Sequence, residues 1–275
     1  MKKLPLKWRP VLLLALSLLA PSRSDAADPL RVASVPWLAP EKLQLLYAPT
    51  VGLLERKLKM PVEFQIAQDY GDLTQRVAAG ACDVAIYGAA SYVLAKYRLP
   101  GLRYLVTSMQ PDDHYWSLVF VRKDSVLSRL TESKGHAIGF TDKQSTSGFR
   151  IPRVMFGRAG VDVERDARVF LLGSHDRVFE AVSAGMIDIG AADSSAWQSA
   201  VRAHGDVYRV IARSRPIPRN PVAAAPHVNA HLAAQIQNIL AQAGADPQFA
   251  RESGELKGYR IRSDEFYDPI REISR

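Results

Sequence analysis

The sequence predicts an α/β protein of two similarly built lobes, each a mainly parallel sheet flanked by helices, with a ligand cleft between the lobes. Two observations carry this prediction: short apolar runs alternate with helical patterns, and the whole arrangement occurs twice at constant spacing. Such alternation is typical of parallel sheets that are covered by helices on both faces. A third observation, polar side chains that follow the strands, indicates where a ligand would bind.

The repeat has copies that lie 105 residues apart. The run Gly80-Ala-Cys-Asp-Val-Ala recurs as Gly185-Met-Ile-Asp-Ile-Gly, and the same offset relates Tyr70 to His175. It also relates two pairs of strand-like runs, 103–106 with 208–211 and 116–121 with 221–226. Matches in register over about ninety residues indicate two units of one design.

Each lobe is predicted to run strand, helix, strand, helix, strand, helix, strand. In the first lobe the strands are predicted at 30–35, 62–66, 84–87 and 103–107, and the helices at 43–58, 71–79 and 91–97. We assign 27–115 and 222–275 to the first lobe, and 116–221, including the two crossovers, to the second. The proline-rich stretch 216–221 is expected to be a stiff, extended connector. The tail from about Asn229 is expected to pack as helices on the first lobe.

The first 26 residues predict an export signal. Basic residues precede an apolar run from Val11 to Ala20, and small residues follow up to Ala27. This pattern is typical of a secretory signal, and the apolar run is short for a membrane span. An uncleaved anchor is the alternative. We expect cleavage after Ala26, within a residue or two, and a periplasmic or secreted mature chain.

Charge and cysteine content narrow the function classes. Of the formal net charge of +8, residues 1–26 contribute +4, from five basic side chains and one acidic one. The remaining +4 suits a small anionic ligand. No basic block is interleaved with aromatic residues, so we do not expect nucleic-acid binding. The single cysteine, Cys82, is expected to be a buried structural thiol, and neither a cofactor nor a metal ion is expected.

The stretch Gln144–Phe149 is the main candidate for a binding site. It lies between a strand-like run at 136–140 and a helix-like run at 154–159. Three hydroxyls and a glycine at a helix start offer an anion several donors, because the amides there are free and the helix dipole favours negative charge. An ordinary helix cap is the alternative. Pro152 follows closely, so the first turn must be short or distorted.

Other candidate residues follow strands in the same way. Tyr70, His175 and Asp193 come directly after strand-like runs. In open parallel sheets, ligands bind beyond the carboxyl ends of the strands. We therefore expect these side chains and the hydroxyl turn to line the cleft between the lobes.

Several motifs together resemble a known family, the periplasmic substrate-binding proteins of phosphonate, phosphite and phosphate ABC transporters. The motifs are Asp69-Tyr, Asp83-Val-Ala-Ile-Tyr-Gly-Ala-Ala-Ser-Tyr, His114-Tyr-Trp-Ser, Ser145-Thr-Ser-Gly-Phe, Gly173-Ser-His-Asp and Ile217-Pro-Arg-Asn-Pro. The resemblance covers nearly the whole mature chain and implies a type II periplasmic binding protein. It implies that phosphorus oxygens are held by Ser145, Thr146, Ser147, His175, Tyr70 and Tyr115. It also implies a monomer that delivers a small anion to an ABC permease in the inner membrane.

The chain departs from that family at two positions. Members that bind aminoalkyl phosphonates carry an acidic residue near the position of Ser195, and Asp193 is a candidate substitute. Many members have an aspartate at the position of Asn220. The asparagine can donate as well as accept, which favours a more fully ionised oxyanion or a ligand of another shape. Arg150 and Arg219 are candidates to add positive charge. Phosphate, phosphite, a simple phosphonate and a different anion all stay open.

Two other functions are compatible with the same body. One is an extracytoplasmic sensor that binds a ligand and docks on a signalling receptor. The other is a secreted enzyme with Ser145, His175 and Asp193 as a triad. Ser145 is not on a Gly-x-Ser-x-Gly elbow, so we do not expect an enzyme.

Overall fold

The structure, a computed structural model, describes residues 28–110 and 114–274. The predicted export signal and its cleavage site lie outside these residues. The strands are β1 (Leu30–Ser34), β2 (Val62–Ile66), β3 (Val84–Ile86), β4 (Arg103–Met109), β5 (His114–Tyr115), β6 (Ser117–Arg122), β7 (Ala137–Phe140), β8 (Arg168–Leu171), β9 (Ile189–Asp193), β10 (Tyr208–Arg213), β11 (Ile217–Pro218), β12 (Pro221–Ala224) and β13 (Gly258–Arg260).

The helices follow the same alternation. They are α1 (Pro40–Leu58), α2 (Tyr70–Ala78), α3 (Ala89–Arg98), α4 (Ile151–Arg158), α5 (Val163–Asp166), α6 (His175–Ser183), α7 (Trp197–His204), α8 (Ala230–Ala241), α9 (Pro247–Glu252) and α10 (Asp268–Ser274). Short 3-10 turns lie at Leu130–Ser133, Ser194–Ala196, Ala243–Ala245 and Asp264–Tyr267, and a π turn at Thr146–Arg150 precedes α4. Helix α1 begins earlier than predicted because a proline is well tolerated in the first turn.

The strands form two main sheets of matching topology. The first sheet has the order β13-β4-β12-β3-β1-β2 and the second has the order β10-β6-β9-β7-β8. Apart from the added β13, the two orders correspond strand for strand. Helices α2 and α6 begin at Tyr70 and His175, and β4 and β10 begin at Arg103 and Tyr208, 105 residues apart in each case. The predicted duplication and the two-lobed α/β fold are confirmed.

Most strands of each sheet run in one direction; the exceptions are β6 in the second sheet and β12 and the edge strand β13 in the first. Strand β1 pairs in parallel with β2 and β3, and β7 pairs in parallel with β8 and β9. Strands β12 and β6 are antiparallel to both of their neighbours. Each of these two strands is entered from the other lobe and not through a crossover helix, so nothing forces it to run parallel.

The repeated glycine and aspartate of each lobe have structural roles. Gly80 and Gly185 have φ values of +69° and +70°, a conformation that suits glycine at the end of a helix. Three residues later, the carboxylate of Asp83 accepts the Arg31 amide at 2.8 Å. The carboxylate of Asp188 accepts the Ala137 amide at the same distance in the second lobe. These bonds fasten each helix–strand turn to the neighbouring strand.

The chain crosses between the two sheets twice, and the crossovers pair with each other. Strands β5 and β11 form a two-stranded antiparallel ribbon in which Tyr115 lies opposite Ile217 and His114 lies opposite Pro218. The ribbon lies in the segments predicted as crossovers, and it places Tyr115 and Asn220 beside the cleft.

The apolar cores lie around the sheets. The first lobe has one continuous core, which Cys82 joins as a buried thiol. The second lobe has two clusters, one containing Phe120 and Phe179 and the other Val119 and Val121, because successive residues of β6 face opposite sides of the sheet. Helix α8 of the tail packs on α1 and β4, which confirms the predicted docking of the tail on the first lobe.

Candidate functional site

All eight predicted site residues line one small cavity of about 240 Å³ at the carboxyl edges of the two sheets. They are Tyr70, Tyr115, Ser145, Thr146, Ser147, His175, Asp193 and Asn220. Val35, Trp37 and Gly88 complete the lining. Trp37 is absent from the predicted set, although it lies three residues beyond the end of β1 and the same strand-end rule selects it.

The hydroxyl turn is built as a π turn capped by its own serine. The Ser145 hydroxyl accepts the Gly148 amide at 3.1 Å, and the Ser145 carbonyl accepts the Arg150 amide at 2.9 Å. A Cβ on residue 148 would lie 2.2 Å from the Thr141 hydroxyl, so only glycine fits there. The turn therefore has the helix cap that the sequence offered as one alternative, and its hydroxyls also line the cavity.

The same turn explains how Pro152 is tolerated. The Ile151 amide bonds to the Thr146 carbonyl, five residues back, so the next bond of this pattern would run from residue 152 to the Ser147 carbonyl. Proline has no amide hydrogen to give. The Ser117 hydroxyl donates to the Ser147 carbonyl instead, at 2.7 Å. The wider turn and this side-chain donor remove the cost that the proline would otherwise impose.

One hydroxyl of the turn is bonded to the opposite lobe. The Thr146 hydroxyl oxygen accepts the Ala90 amide, in the first turn of α3, at 2.8 Å. Because the oxygen is an acceptor in this bond, its hydrogen stays available to donate. Thr146 therefore links the two lobes and also lines the cavity.

His175 is held with one nitrogen as an acceptor. Its Nδ1 lies 3.3 Å from the Asp193 amide, which can only donate, and 3.0 Å from the Thr141 hydroxyl. Burial lowers the pKa of the imidazole, so the ring is neutral at neutral pH. A neutral ring with an unprotonated Nδ1 carries its hydrogen on Nε2. His175 thus offers the cavity a neutral N–H donor.

Tyr70 and Tyr115 are also donors. Both are buried, with 2% and 3% of their surfaces exposed. Burial raises the pKa of each phenol well above its usual value, and the nearby Asp193 carboxylate adds to the effect. Both hydroxyls keep their hydrogen at physiological pH and are able to donate it to an anion.

Asp193 gives the cavity an acceptor. It is 5% exposed, and its Oδ1 accepts the Ser195 amide at 2.6 Å. No lysine or arginine of residues 28–110 and 114–274 lines the cavity. Arg150 donates instead to the Lys143 carbonyl, and Arg219 donates to Gln110 and Ser195 at 2.8 and 2.9 Å. Neither arginine therefore has the expected direct role in the cavity. Arg219 lies behind the residues that line it.

The residues proposed as a hydrolytic triad do not form one. His175 Nδ1 is occupied by the amide of Asp193 and by Thr141, and the Asp193 carboxylate is turned to the Ser195 amide. Within residues 28–110 and 114–274, no cluster of histidine, cysteine and acidic side chains is arranged to hold a metal ion. No helix in those ranges has the length and hydropathy needed to cross a bilayer.

The fold and the cavity define a class: type II binding proteins, in which two α/β lobes close on a small solute. A family model described as "ABC transporter, phosphonate, periplasmic substrate-binding protein" matches residues 32–267. The chain belongs to this family. Its members are components of transporters and not enzymes.

Individual relatives are more distant. The phosphate-import protein PhnD of Mycolicibacterium smegmatis is 27% identical over 176 residues, which are 60% of this chain and 55% of that protein. The phosphonates-binding periplasmic protein of Escherichia coli is 28% identical over 142 residues, 50% of this chain and 42% of that protein. The chain thus spans about half the length of the curated relatives it matches.

A solved structure shares the whole fold. It is PhnD1 from Prochlorococcus marinus in complex with methylphosphonate, with a TM-score of 0.81 and 17% identity. The match covers 89% of this chain and 96% of that one. At this identity the match establishes the common architecture alone.

Proposed function

We propose that this protein captures a small phosphorus oxyanion, namely phosphate, phosphite or a simple phosphonate, between its lobes and delivers it to an ABC importer. It acts in the periplasm as a monomer after removal of the signal near Ala26, and its partner is the permease in the inner membrane. The family is one of transporter proteins, which favours transport over the sensor.

The observation that carries this proposal is a buried cavity lined mainly by neutral donors. The hydroxyls of Ser145, Thr146 and Ser147, the two phenols and the imidazole converge on about 240 Å³. Hydrogen bonds to an ionised acceptor are shorter and roughly twice as strong as neutral ones. Preorganised donors replace the water that a small anion loses on entry, so no direct counter-ion is required.

Asp193 and Asn220 select the protonation state of the ligand. A carboxylate on the cavity wall repels a fully ionised oxyanion, whereas a ligand that keeps one hydrogen on oxygen can donate it to Asp193. The amide of Asn220 both donates and accepts. Monoprotonated phosphate or phosphonate therefore fits better than sulfate, which carries no hydrogen at neutral pH.

Capture requires the lobes to separate. We take the first lobe as 27–115 and 222–275 and the second as 116–221, and we take the β5–β11 ribbon as the hinge. The bond between Ala90 and Thr146 would break on opening, so a ligand that enters an open cleft gains donors from both lobes as the cleft closes.

Calorimetric titration tests the proposal. The protein is first unfolded to release any bound ligand and is then refolded. We expect heat and a rise in melting temperature with phosphate, phosphite or methylphosphonate, and none with sulfate. Absence of binding to all three phosphorus anions would remove the proposal. Binding of sulfate as tight as that of phosphate would remove the role given to Asp193.

A further inference from the structure

A second, larger pocket adjoins the anion cavity. Its empty space is about 1030 Å³ with the solvent at its open mouth included, against about 240 Å³ on the same measure for the anion cavity. Its apolar lining comes from both lobes, with Leu38, Leu45 and Leu46 from the first and Ala196 from the second. Leu45 is 77% exposed.

Trp37 is the wall between the two spaces. Of the described residues, it alone lines both the anion cavity and the larger pocket. It is 6% exposed, and its buried indole nitrogen has no hydrogen-bond partner of good geometry among the described residues, although the Tyr47 hydroxyl lies close to it. A buried N–H without a well-placed acceptor costs stability, so such a group in a native protein calls for an explanation.

The position of Trp37 is fixed from the opposite lobe. Its carbonyl accepts the His175 amide at 3.0 Å, and its own amide bonds to the Val35 carbonyl at 3.0 Å. Two residues later, the Ala39 amide donates to the Asp176 carboxylate at 2.7 Å. When the lobes are closed, the backbone on both sides of the indole is therefore held, and the partition stays in place.

We propose that Trp37 determines ligand size: it separates the anion cavity from the apolar pocket and donates its indole N–H to the bound oxyanion. This inference rests on the proposed function and deepens it. With the partition in place, the cavity has room for a small oxyanion such as phosphate or methylphosphonate. Without it, the two spaces join, and a phosphonate with an apolar alkyl or aryl group fits across both.

Titration with a series of phosphonates tests the partition. The ligands are methyl-, propyl-, hexyl- and phenylphosphonate, and the proteins are the wild type, Trp37→Ala and Trp37→Phe. For the wild type we expect affinity to fall steeply beyond the methyl group. For Trp37→Ala the ratio of hexyl to methyl affinity should rise at least about tenfold, because each buried CH₂ favours binding. An unchanged ratio in a folded Trp37→Ala protein overturns the partition.

Trp37→Phe tests the role of the indole N–H as a donor separately from the role of the ring as a partition. Phenylalanine keeps an aromatic partition but lacks the donor, so methylphosphonate should bind about tenfold more weakly while the preference for short chains is kept. Equal affinity overturns the donor role. This variant also keeps the test decisive if Trp37→Ala fails to fold. Trp116→Phe is the matched control, since Trp116 lies under Arg213 and outside both spaces.

The two proposals fail in different ways. If the wild type binds none of the small phosphorus anions, the proposed function itself is wrong. If the wild type binds methylphosphonate but both Trp37 variants keep its affinity and its chain-length profile, only the role of Trp37 is wrong.

Discussion

Removing the Asp176 carboxylate should weaken ligand binding although Asp176 does not line the anion cavity. Asp176 lies in the first turn of α6, which packs on the second sheet. Its Oδ2 accepts the Ala39 amide at 2.7 Å and its Oδ1 accepts the Lys42 ammonium at 2.5 Å, and both partners belong to the first lobe. If the lobes separate as proposed, these contacts break on opening, so their loss favours the open form.

The magnitude follows from the two contacts. The ion pair is weak, about 0–1 kcal/mol, because the Lys42 side chain is 41% exposed. The bond from a backbone amide to a carboxylate is stronger, on the order of 1.5–3 kcal/mol. Asp176→Ala should therefore destabilise the closed form by about 2–3 kcal/mol and raise the Kd by about 30- to 150-fold. Lys42→Met should raise it less than about fivefold.

Asp72 supplies the matched control. Its carboxylate also lies in the first turn of a helix and accepts a backbone amide and a basic side chain, from Gln68 and Arg76, both at 2.8 Å. All three residues belong to the first lobe. Asp72→Ala should lower the melting temperature and leave the Kd unchanged. Calorimetry gives the Kd values, and small-angle scattering of the ligand-free proteins shows whether Asp176→Ala shifts them to a more extended form.

The reasoning fails if Asp176→Ala binds the ligand within twofold of the wild type. It also fails if Asp72→Ala weakens binding as much, because the effect would then be general destabilisation and not loss of a contact between lobes.

Three further predictions concern the cavity. Ser147→Ala and Thr146→Val should each weaken anion binding by about 1.5–3 kcal/mol. Thr50→Val is the control and should not weaken it, because the buried Thr50 hydroxyl bonds to Tyr259 elsewhere in the first lobe. Equal calorimetric affinities of the three variants would contradict the donor role. Burial lowers the pKa of His175 from 6.5, so the unfolded chain binds a proton at a higher pH than the folded chain does. The free energy of unfolding should therefore fall as the pH drops below about 6.5. Urea unfolding should show less of this fall in His175→Gln, and an equal slope would refute it. Asn220→Asp should shift binding of methylphosphonate toward lower pH, and titrations between pH 5.5 and 8 with an unchanged profile would oppose this.

Much of the fold follows from local signals in the sequence. The 105-residue offset located equivalent elements, because a glycine that ends a helix and an aspartate that bonds the neighbouring strand are needed wherever this turn is built. The strand-end rule brought Tyr70, His175 and Asp193 to one cavity. The antiparallel direction of β6 and β12 was not predicted, because it depends on where the chain enters each sheet.

Contacts between residues distant in sequence were the part that the sequence did not reveal. Ser117 replaces the donor that Pro152 lacks, but the two are brought together only by the second sheet. Arg219 was a candidate to add positive charge to the site, and it is 8% exposed and bonded to Ser195 and Gln110. The strand-end rule could have selected Trp37, but its place between two spaces is visible only in the structure.

The duplication gives the proposed anion turn of the second lobe a counterpart in the first lobe. In the matching topology, the N-terminus of α1 corresponds to the turn at Ser145–Ser147. There the capping position is Ala39, whose methyl group forms no side-chain cap, and the Asp176 carboxylate of the second lobe accepts its amide. The N-terminus of α1 is thus bonded to a carboxylate of the protein itself, whereas the turn at Ser145–Ser147 faces the cavity. In the proposed mechanism, the closing motion that forms the Asp176 contact at α1 also encloses the ligand at the turn of the second lobe.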